Sequence, residues 1–298
     1  MEKYGVVDIG SNTVRLEVYN VNDQYIQLFF KKKEFLGLAN YVEKGSLTEE
    51  GIKKTIEVLK DYSSICDLLA TKELFIFATA AIRNAKNSKE VIETIESEID
   101  HKIDLISGER EAELGFKVVS NRFGLDTAVN IDIGGGSTEL SVYENGVFVV
   151  SKSFPEGSLS LYREYVSGIL PKKSEIKTIR DKINSYIEEE NIGVKRRKKV
   201  CGVGGTMRLV NRIVANYYGE DTGDIINVKR LKKIYKKLLQ KDMQLIKLIL
   251  RLAPERIHTI IPGMIILIQL CDKLDVKAIL VSNSGVREGY LISKIEGE

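Results

Sequence analysis

The stretch VVDIGSNTVRLEV, residues 6–18, decides the fold of this chain, because NIDIGGGSTELSV, residues 130–142, repeats it. In both stretches an apolar strand ends in Asp-Ile-Gly, small or polar residues follow, and the apolar alternation resumes on a return strand. One such stretch alone is most simply an ordinary hairpin. A repeat about half a protein away instead predicts two domains of one topology.

Strands alternate with helices along the rest of the chain, which predicts an α/β protein. We expect one domain over residues 1–120 and a second over residues 121–298, with a last helix at about 286–298 packing back on the first domain. The spacing of apolar residues in 46–69 predicts a helix, and Thr48 stands ahead of its acidic first turn as a capping residue.

The composition excludes several classes of protein. Three widely spaced cysteines form neither a CxxC pair nor a disulfide framework, which favours a reducing, cytoplasmic compartment. Two histidines in the whole chain argue against a histidine zinc site. The most apolar segment, IIPGMIILIQL at 260–270, is shorter than the ~20 residues that span a bilayer, so we predict a buried helix and no membrane contact. The chain enters its first strand almost at once, so no signal peptide is expected.

Positive charge is concentrated in one part of the chain. Residues 171–240 hold 18 Lys and Arg against 8 Asp and Glu, many of them in KRRKK (195–199) and KRLKKIYKK (229–237). Such a region attracts polyanions, although helices with ordinary solvent-exposed faces would show the same run of lysines in the sequence. Aromatic residues do not interleave these clusters as they do in a base-stacking platform, so no specific nucleic acid partner is expected.

Glycine-rich or Ser-Gly turns follow four predicted strands. They are DIGSNT (8–13), SGERE (107–111), DIGGGST (132–138) and GVGGT (202–206). Glycine lets backbone amides approach a ligand closely, and successive amides form an anion-binding nest. None of the turns matches GxxxxGK[ST] or a GxGxxG that opens a helix, so these nucleotide-binding motifs are not indicated.

Acids stand at the ends of the two repeated strands. Asp8 and Asp132 would be costly to bury unless each were paired, bound to metal or capping its own turn. Mg²⁺ binds through one or two carboxylates together with water and substrate phosphates, so both aspartates are candidate ligands. Glu139, on the second return strand, is either a third acid of this site or a solvent-facing strand residue.

Two further charged groups follow strands. Arg83, beside Asn84, is placed to grip phosphate, although a surface arginine would look the same. Glu109 and Glu111 stand near a predicted helix start, where acids complement the helix dipole. The alternative role for such an acid is a base that orients an attacking water.

Six stretches together resemble one known family. They are VVDIGSNTVRLEV, ATAAIRNAKN, ISGEREAELGF, NIDIGGGSTEL, VGGTMRLV and LAPERIHTIIPG. In this order, from residue 6 to the final helix, they resemble the exopolyphosphatase / guanosine pentaphosphate phosphohydrolase (Ppx/GppA) phosphatase family. The resemblance implies two ribonuclease-H-like domains of the actin, sugar kinase and heat-shock chaperone ATPase superfamily, flanking a cleft. It also implies Mg²⁺-dependent hydrolysis of a terminal phosphoanhydride, in polyphosphate or in guanosine pentaphosphate (pppGpp).

The same resemblance implies residue roles. Catalysis would fall to Glu111, Asp132 and Glu139, and metal binding to Asp8 and Asp132. The implied phosphate and substrate contacts are Gly10, Ser11, Asn12, Thr13, Arg83, Asn84, Gly134, Gly135, Gly136, Ser137, Thr138, Gly204, Gly205, Thr206 and Arg256.

The sequence departs from the family pattern at two motifs. Arg110 stands where another glutamate is common, and Ile257-His258 replaces Ala-Asp after Arg256. The likeness is to the short form, for which no C-terminal helical domains are expected. The residues leave polyphosphate and guanosine penta- or tetraphosphate open as partners, and homodimerisation open as well. A kinase or ATPase of the same superfamily, or a non-hydrolytic sensor of these phosphates, remain the alternatives.

Overall fold

A computed structural model describes residues 1–22, 25–145, 147–189, 199–219, 223–282 and 285–297. Of the basic run 195–199, only Lys199 is among the described residues. Contacts divide the chain into two compact units, the first comprising Met1–Glu111 with Arg287–Glu298 and the second Ala112–Val286. The predicted boundary at residue 120 would fall inside a helix, and the last helix groups with the first unit.

The first unit is a five-stranded sheet with helices. Its elements are β1 (Glu2–Ile9), β2 (Val14–Val21), β3 (Ile26–Glu34), β4 (Val42–Glu43), β5 (Ser46–Leu47), α1 (Glu49–Leu68), β6 (Glu73–Ala78), α2 (Ala80–Arg83), α3 (Ser88–Ile99) and β7 (Ile103–Leu105). Helix α4 (Gly108–Phe123) begins in this unit, and α11 (Val286–Ile295) returns to it. The strand order is β3-β2-β1-β6-β7, in which β1 runs antiparallel to β2 and parallel to β6.

The opening stretch forms the β1–β2 hairpin of this sheet. The register pairs Asp8 with Arg15 and Ile9 with Val14. Ile9, Val14 and Leu16 are completely buried, and burying a side chain of this size contributes about 1.5–3 kcal/mol. The apolar residues on both sides of the turn therefore fix the hairpin in place and hold its polar tip at one edge of the sheet.

The second unit has a six-stranded sheet. Its elements are β8 (Ala128–Ile133), β9 (Thr138–Glu144), β10 (Val147–Phe154), α5 (Ser158–Tyr165), α6 (Lys173–Glu189), β11 (Val200–Val203), α7 (Gly204–Tyr218), β12 (Ile225–Asn227), α8 (Val228–Leu239), α9 (Met243–Leu252), α10 (Ile260–Lys273) and β13 (Ala278–Val281). The strand order is β10-β9-β8-β11-β13-β12.

The two sheets share one plan. Each places three antiparallel strands beside two strands that run parallel to its first strand, and the second unit adds β12 at the far edge. The predicted fold class, an α/β protein built from two domains of this kind, is confirmed.

Local predictions from the sequence are also confirmed. Thr48 caps α1 by accepting a hydrogen bond from the Gly51 amide. The apolar segment 260–270 lies in α10 and is buried almost throughout. In the part of the chain that the structure describes, no helix combines the length and apolar character needed to cross a membrane.

Candidate active site

The first loop, residues 10–13, closes the β1–β2 hairpin. The Gly10 amide donates to the Thr13 carbonyl at 3.1 Å. The Ser11 and Asn12 carbonyls accept hydrogen bonds from the following segment, from Ala39 at 2.9 Å and Gly37 at 3.0 Å. Across the described residues, the amides of Ser11 and Asn12 donate no hydrogen bond. The loop therefore holds its acceptors in place and keeps two donors available for an anion.

The second loop, residues 134–137, repeats this bonding after β8. The Gly134 amide donates to the Ser137 carbonyl at 2.9 Å, and the Gly134 and Gly135 carbonyls accept from the start of α5. Within the described ranges, the amides of Gly135 and Gly136 donate no hydrogen bond. A Cβ at Gly134 would lie 3.1 Å from the Ser137 carbonyl oxygen, the same distance as at Gly10 from Thr13. The sequence repeat is thus a repeat of hydrogen bonding and of close packing.

Gly157, just before α5, packs directly against the second loop. A Cβ at this position would lie 2.5 Å from the Gly135 carbonyl carbon and 2.7 Å from the Gly136 nitrogen. Thr138 strengthens the same attachment, since its hydroxyl donates to the Glu156 carbonyl at 2.8 Å. Sequence reasoning missed Gly157, because its Pro-Glu-Gly context reads only as a turn before a helix.

Asp132 lies against the start of α7. A Cβ at Gly204 would meet the Asp132 Oδ1 at 2.2 Å, and Gly204 has a φ of +85°. Both the space and the backbone conformation therefore require glycine here. Among the described residues no side chain caps this helix, so amides of its first turn are available to an anionic group, which the helix dipole also favours.

Arg256 reaches the same helix start from the segment before α10. Its Nη2 lies 2.6 Å from the position of a Cβ on Gly205. Its guanidinium makes no hydrogen bond or ion pair with the described residues, and burial lowers its pKa. A half-buried cation beside a helix N-terminus and a glycine turn suits an anionic ligand.

His258, one of the departures from the family pattern, packs its ring on Tyr162 with centroids 4.7 Å apart. Burial, together with the charge of Arg256, lowers its pKa. The ring is therefore neutral at neutral pH and adds no second positive charge beside Arg256.

Two acids meet on one face of the second sheet. Asp132 and Glu139 are direct partners in the β8–β9 register, which places their Cβ atoms about 4.5–5.5 Å apart. Both are buried, at 9% and 1% exposure, and Glu139 accepts a hydrogen bond from Ser153. The alternative of a solvent-facing strand residue is wrong for Glu139.

In the first unit, Arg83 and Glu111 form an ion pair. Arg83 ends α2, and its Nη1 donates to Glu111 Oε2 at 3.2 Å and to the Ile106 carbonyl at 3.0 Å. Glu111 lies in the first turn of α4, and both side chains are mostly buried. Asn84 directly follows Arg83 and is exposed. Two residues chosen separately from the sequence are therefore in contact.

Asp8 also has a cationic partner, and sequence reasoning missed it. Arg287, in α11, donates through Nη1 to Asp8 Oδ2 at 2.8 Å, and its Nε lies 2.8 Å from Glu17 Oε2. Burial works against the charged form, but Glu17 and Asp8 raise the pKa of Arg287 above its ordinary value. No local pattern could have found this pair, since the partners are 279 residues apart.

The predicted residues thus form one group in each unit. The first unit assembles its loop with Asp8, and pairs Arg83 with Glu111. The second gathers its loop, Asp132, Glu139, the α7 start with Thr206, and Arg256.

Comparisons with known proteins find relatives along nearly the whole chain. Exopolyphosphatase 1 of Mycobacterium bovis is 25% identical over 309 residues, covering 99% of this chain and 89% of that protein. The crystal structure of the Aquifex aeolicus member of the Ppx/GppA protein family matches with a TM-score of 0.82 and 25% identity, over 100% of this chain and 99% of the other. An exopolyphosphatase structure from Cytophaga hutchinsonii shares the fold, with a TM-score of 0.88 and 22% identity over 99% and 98% of the two chains.

The Ppx/GppA phosphatase family itself matches residues 17–298, nearly the whole chain. The resemblance carried by the six motifs is therefore confirmed: the chain belongs to the Ppx/GppA phosphatase family.

Proposed function

We propose that this chain removes the terminal phosphate of inorganic polyphosphate by hydrolysis, with pppGpp as a second substrate. The observation that carries the proposal is the pair of repeated loops, each with two backbone amides available and its carbonyls already bonded. A phosphate terminus presents several anionic oxygens, and such amides bind them without moving. Similarity to exopolyphosphatase 1 over 99% of the chain supports polyphosphate as the substrate class.

Glu111 is the proposed base. It would take a proton from a water whose oxygen attacks the terminal phosphorus, while the bridging P–O bond breaks and the shortened chain leaves. Arg83, paired with Glu111 at 3.2 Å, would hold that carboxylate in position, and its guanidinium is of the kind that binds phosphate. Phosphoryl transfer depends mainly on such positioning and charge stabilisation.

The second unit fits Mg²⁺ better than the first. Asp132 and Glu139 bring two carboxylates together on one face, and carboxylate oxygens suit Mg²⁺. At the matching place in the first unit, Asp8 is opposite Arg15 and bonded to Arg287, so cations already surround it. We therefore assign Mg²⁺ to Asp132 and Glu139, where it would neutralise phosphate charge. Metal binding by Asp8 stays a prediction.

The phosphate itself would be held by this chain's own donors. In the second unit these are the second loop, the first turn of α7 and the guanidinium of Arg256. We place the activity in the cytoplasm, because the three cysteines are unpaired and buried, as in proteins of reducing compartments.

The test is phosphate release from short polyphosphate, long polyphosphate, pppGpp and ATP, each with and without Mg²⁺. Glu111→Gln should lower kcat by about 10²- to 10⁴-fold, the usual contribution of a positioned base. Polyphosphate affinity should change little, since the substitution is nearly isosteric.

Glu109→Gln is the matched control. Glu109 lies in the same helical turn, is exposed, and should retain full activity. If Glu111→Gln kept the kcat of the wild type, Glu111 would not be the base. Tight binding without phosphate release by the wild type would identify a sensor, and phosphate transfer from ATP to an added acceptor would identify a kinase.

A further inference from the structure

A lysine-lined groove opens on the second unit, outside the candidate active site. It has a volume of about 620 Å³ and is lined by Asn227, Val228, Lys229, Lys232, Lys233, Lys236, Val276 and Lys277. Five of its eight lining residues are lysines, so positive charge dominates the groove.

The lysines come from two segments. Positions 229, 232, 233 and 236 follow the i, i+3, i+4, i+7 spacing of one helix face. The opposite face of α8 is apolar and buried, which fixes the helix and turns the lysines outward. Lys277 comes from the segment before β13, and its carbonyl accepts the Val228 amide at 3.0 Å.

Most of this charge is uncompensated. Lys232 pairs with Asp272, which is itself exposed. Lys229, Lys233, Lys236 and Lys277 are exposed and make no ion pair with any residue in the described ranges. Three uncompensated charges along about 10 Å of helix, with a fourth from Lys277 in the same groove, make a strong local attraction for a polyanion.

The sheet register separates the groove from the second loop. Cys201 pairs with both Leu280 and Asn130, so Ala278 is level with Ala128. Gly134 follows Ala128 by six residues along the strand direction, or about 20 Å at 3.3 Å per residue. The groove therefore lies at the amino ends of the parallel strands, opposite the edge that carries the loops.

The lining chemistry favours a chain of phosphates over a nucleic acid. Lysine ammonium groups act as point charges for phosphate. Among the described residues, the lining includes neither an aromatic ring for base stacking nor an arginine for bidentate contact with a base edge. A polymer that offers only phosphate groups meets every requirement of this surface.

We propose that the groove of Lys229, Lys232, Lys233, Lys236 and Lys277 is a docking site for long inorganic polyphosphate, remote from the site of hydrolysis. The inference rests on the proposed function and adds chain-length selectivity to it. Long chains reach both the groove and the second loop, whereas tripolyphosphate is far shorter than their separation.

The test compares Lys229→Gln/Lys233→Gln/Lys236→Gln with the wild type on polyphosphate of several hundred units and on tripolyphosphate. For long chains KM should rise at least tenfold with kcat unchanged, and both constants should be unchanged for tripolyphosphate. The slope of log affinity against log salt for long chains should fall by about two, at about 0.7 for each lost phosphate contact.

Lys53→Gln/Lys177→Gln/Lys247→Gln is the matched control. It removes the same charge from three exposed lysines on α1, α6 and α9, and should behave as wild type. Circular dichroism melting curves would show that both triple variants fold.

Direct binding of end-labelled long polyphosphate separates this inference from the proposed function. If the wild type hydrolyses nothing yet binds long chains through these lysines, the hydrolase assignment fails and the groove stands. If the groove variant bound long polyphosphate as tightly as the wild type, the groove would not be a docking site. The same would follow if KM rose as much for tripolyphosphate as for long chains. If single-stranded DNA of equal charge displaced the labelled polyphosphate as effectively as unlabelled polyphosphate does, the groove would not select polyphosphate as its partner.

Discussion

Gly157→Ala tests whether the packing of α5 against the second loop sets the position of the loop amides. Gly157 has a φ of −129°, which alanine adopts freely, so the substitution acts through space alone. The added Cβ would lie 2.5 Å from the Gly135 carbonyl carbon, where ordinary contact begins near 3.4 Å. Backbone atoms on both sides must therefore separate by about 0.9 Å.

That displacement sets the expected magnitudes. Overpacking of this kind costs about 1–3 kcal/mol in the free energy of unfolding. The amides of Gly135 and Gly136 move with the loop, and a displacement of about 1 Å in a positioned group costs about 10²-fold in rate. We expect kcat/KM for short polyphosphate to fall by about 10²-fold. The assay temperature is well below the melting temperature, so that the variant is folded during the measurement.

The assay pairs phosphate release with urea unfolding followed by circular dichroism, so that loss of activity is separated from loss of folded protein. Gly168→Ala is the control, because its Cβ would meet the Leu170 carbonyl oxygen at an ordinary 3.9 Å and no other atom of the described residues within 4 Å. If Gly157→Ala matches Gly168→Ala in both kcat/KM and stability, the second loop does not depend on this contact and the reasoning fails.

Three further predictions concern buried groups. Arg287→Met should cost about 3–5 kcal/mol of unfolding free energy, because it removes a mostly buried cation from its ion pairs with Asp8 and Glu17; an unchanged urea midpoint would contradict this. Burial raises the pKa of Glu156, so the folded chain keeps a proton on this carboxyl that the unfolded chain releases. The free energy of unfolding therefore falls as the pH rises above the pKa of an unfolded glutamate. Glu156→Gln should therefore stabilise the chain more at about pH 7 than at about pH 4, and equal gains at both would refute it. Burial raises the pKa of Cys271 to about 12, so a thiol reagent should modify it only as fast as the chain unfolds, and rapid labelling of native protein would count against this.

The fold was predictable because its signals are local. The alternation around Asp8 and its repeat at Asp132 lie within single hairpins, and the capping by Thr48 involves neighbours in the chain. Such short-range patterns translate directly into strands, turns and helix ends. The two-fold plan of the sheets followed from the repeat alone.

The candidate site was predictable only in part, for a physical reason. Loop glycines and strand-end acids carry their own signal, since backbone approach and buried charge demand those residue types. The contacts of Gly157 and Arg287 depend on segments that meet only in the folded chain, and their neighbours in sequence give no sign of them. The alternation around Glu139 fits both a cleft acid and a solvent-facing residue, because alternation alone does not say whether both faces of a strand are covered.

The ion pairs of Arg287 also bear on the order of biosynthesis. The second unit is continuous in sequence, so all of its residues are available once Val286 has been translated. The first unit includes both β1 and Arg287, and Arg287 follows the second unit in the sequence. Although domains generally fold from the amino terminus during synthesis, here Asp8 of β1 and Glu17 of β2 gain this cationic partner only after the whole second unit has been made.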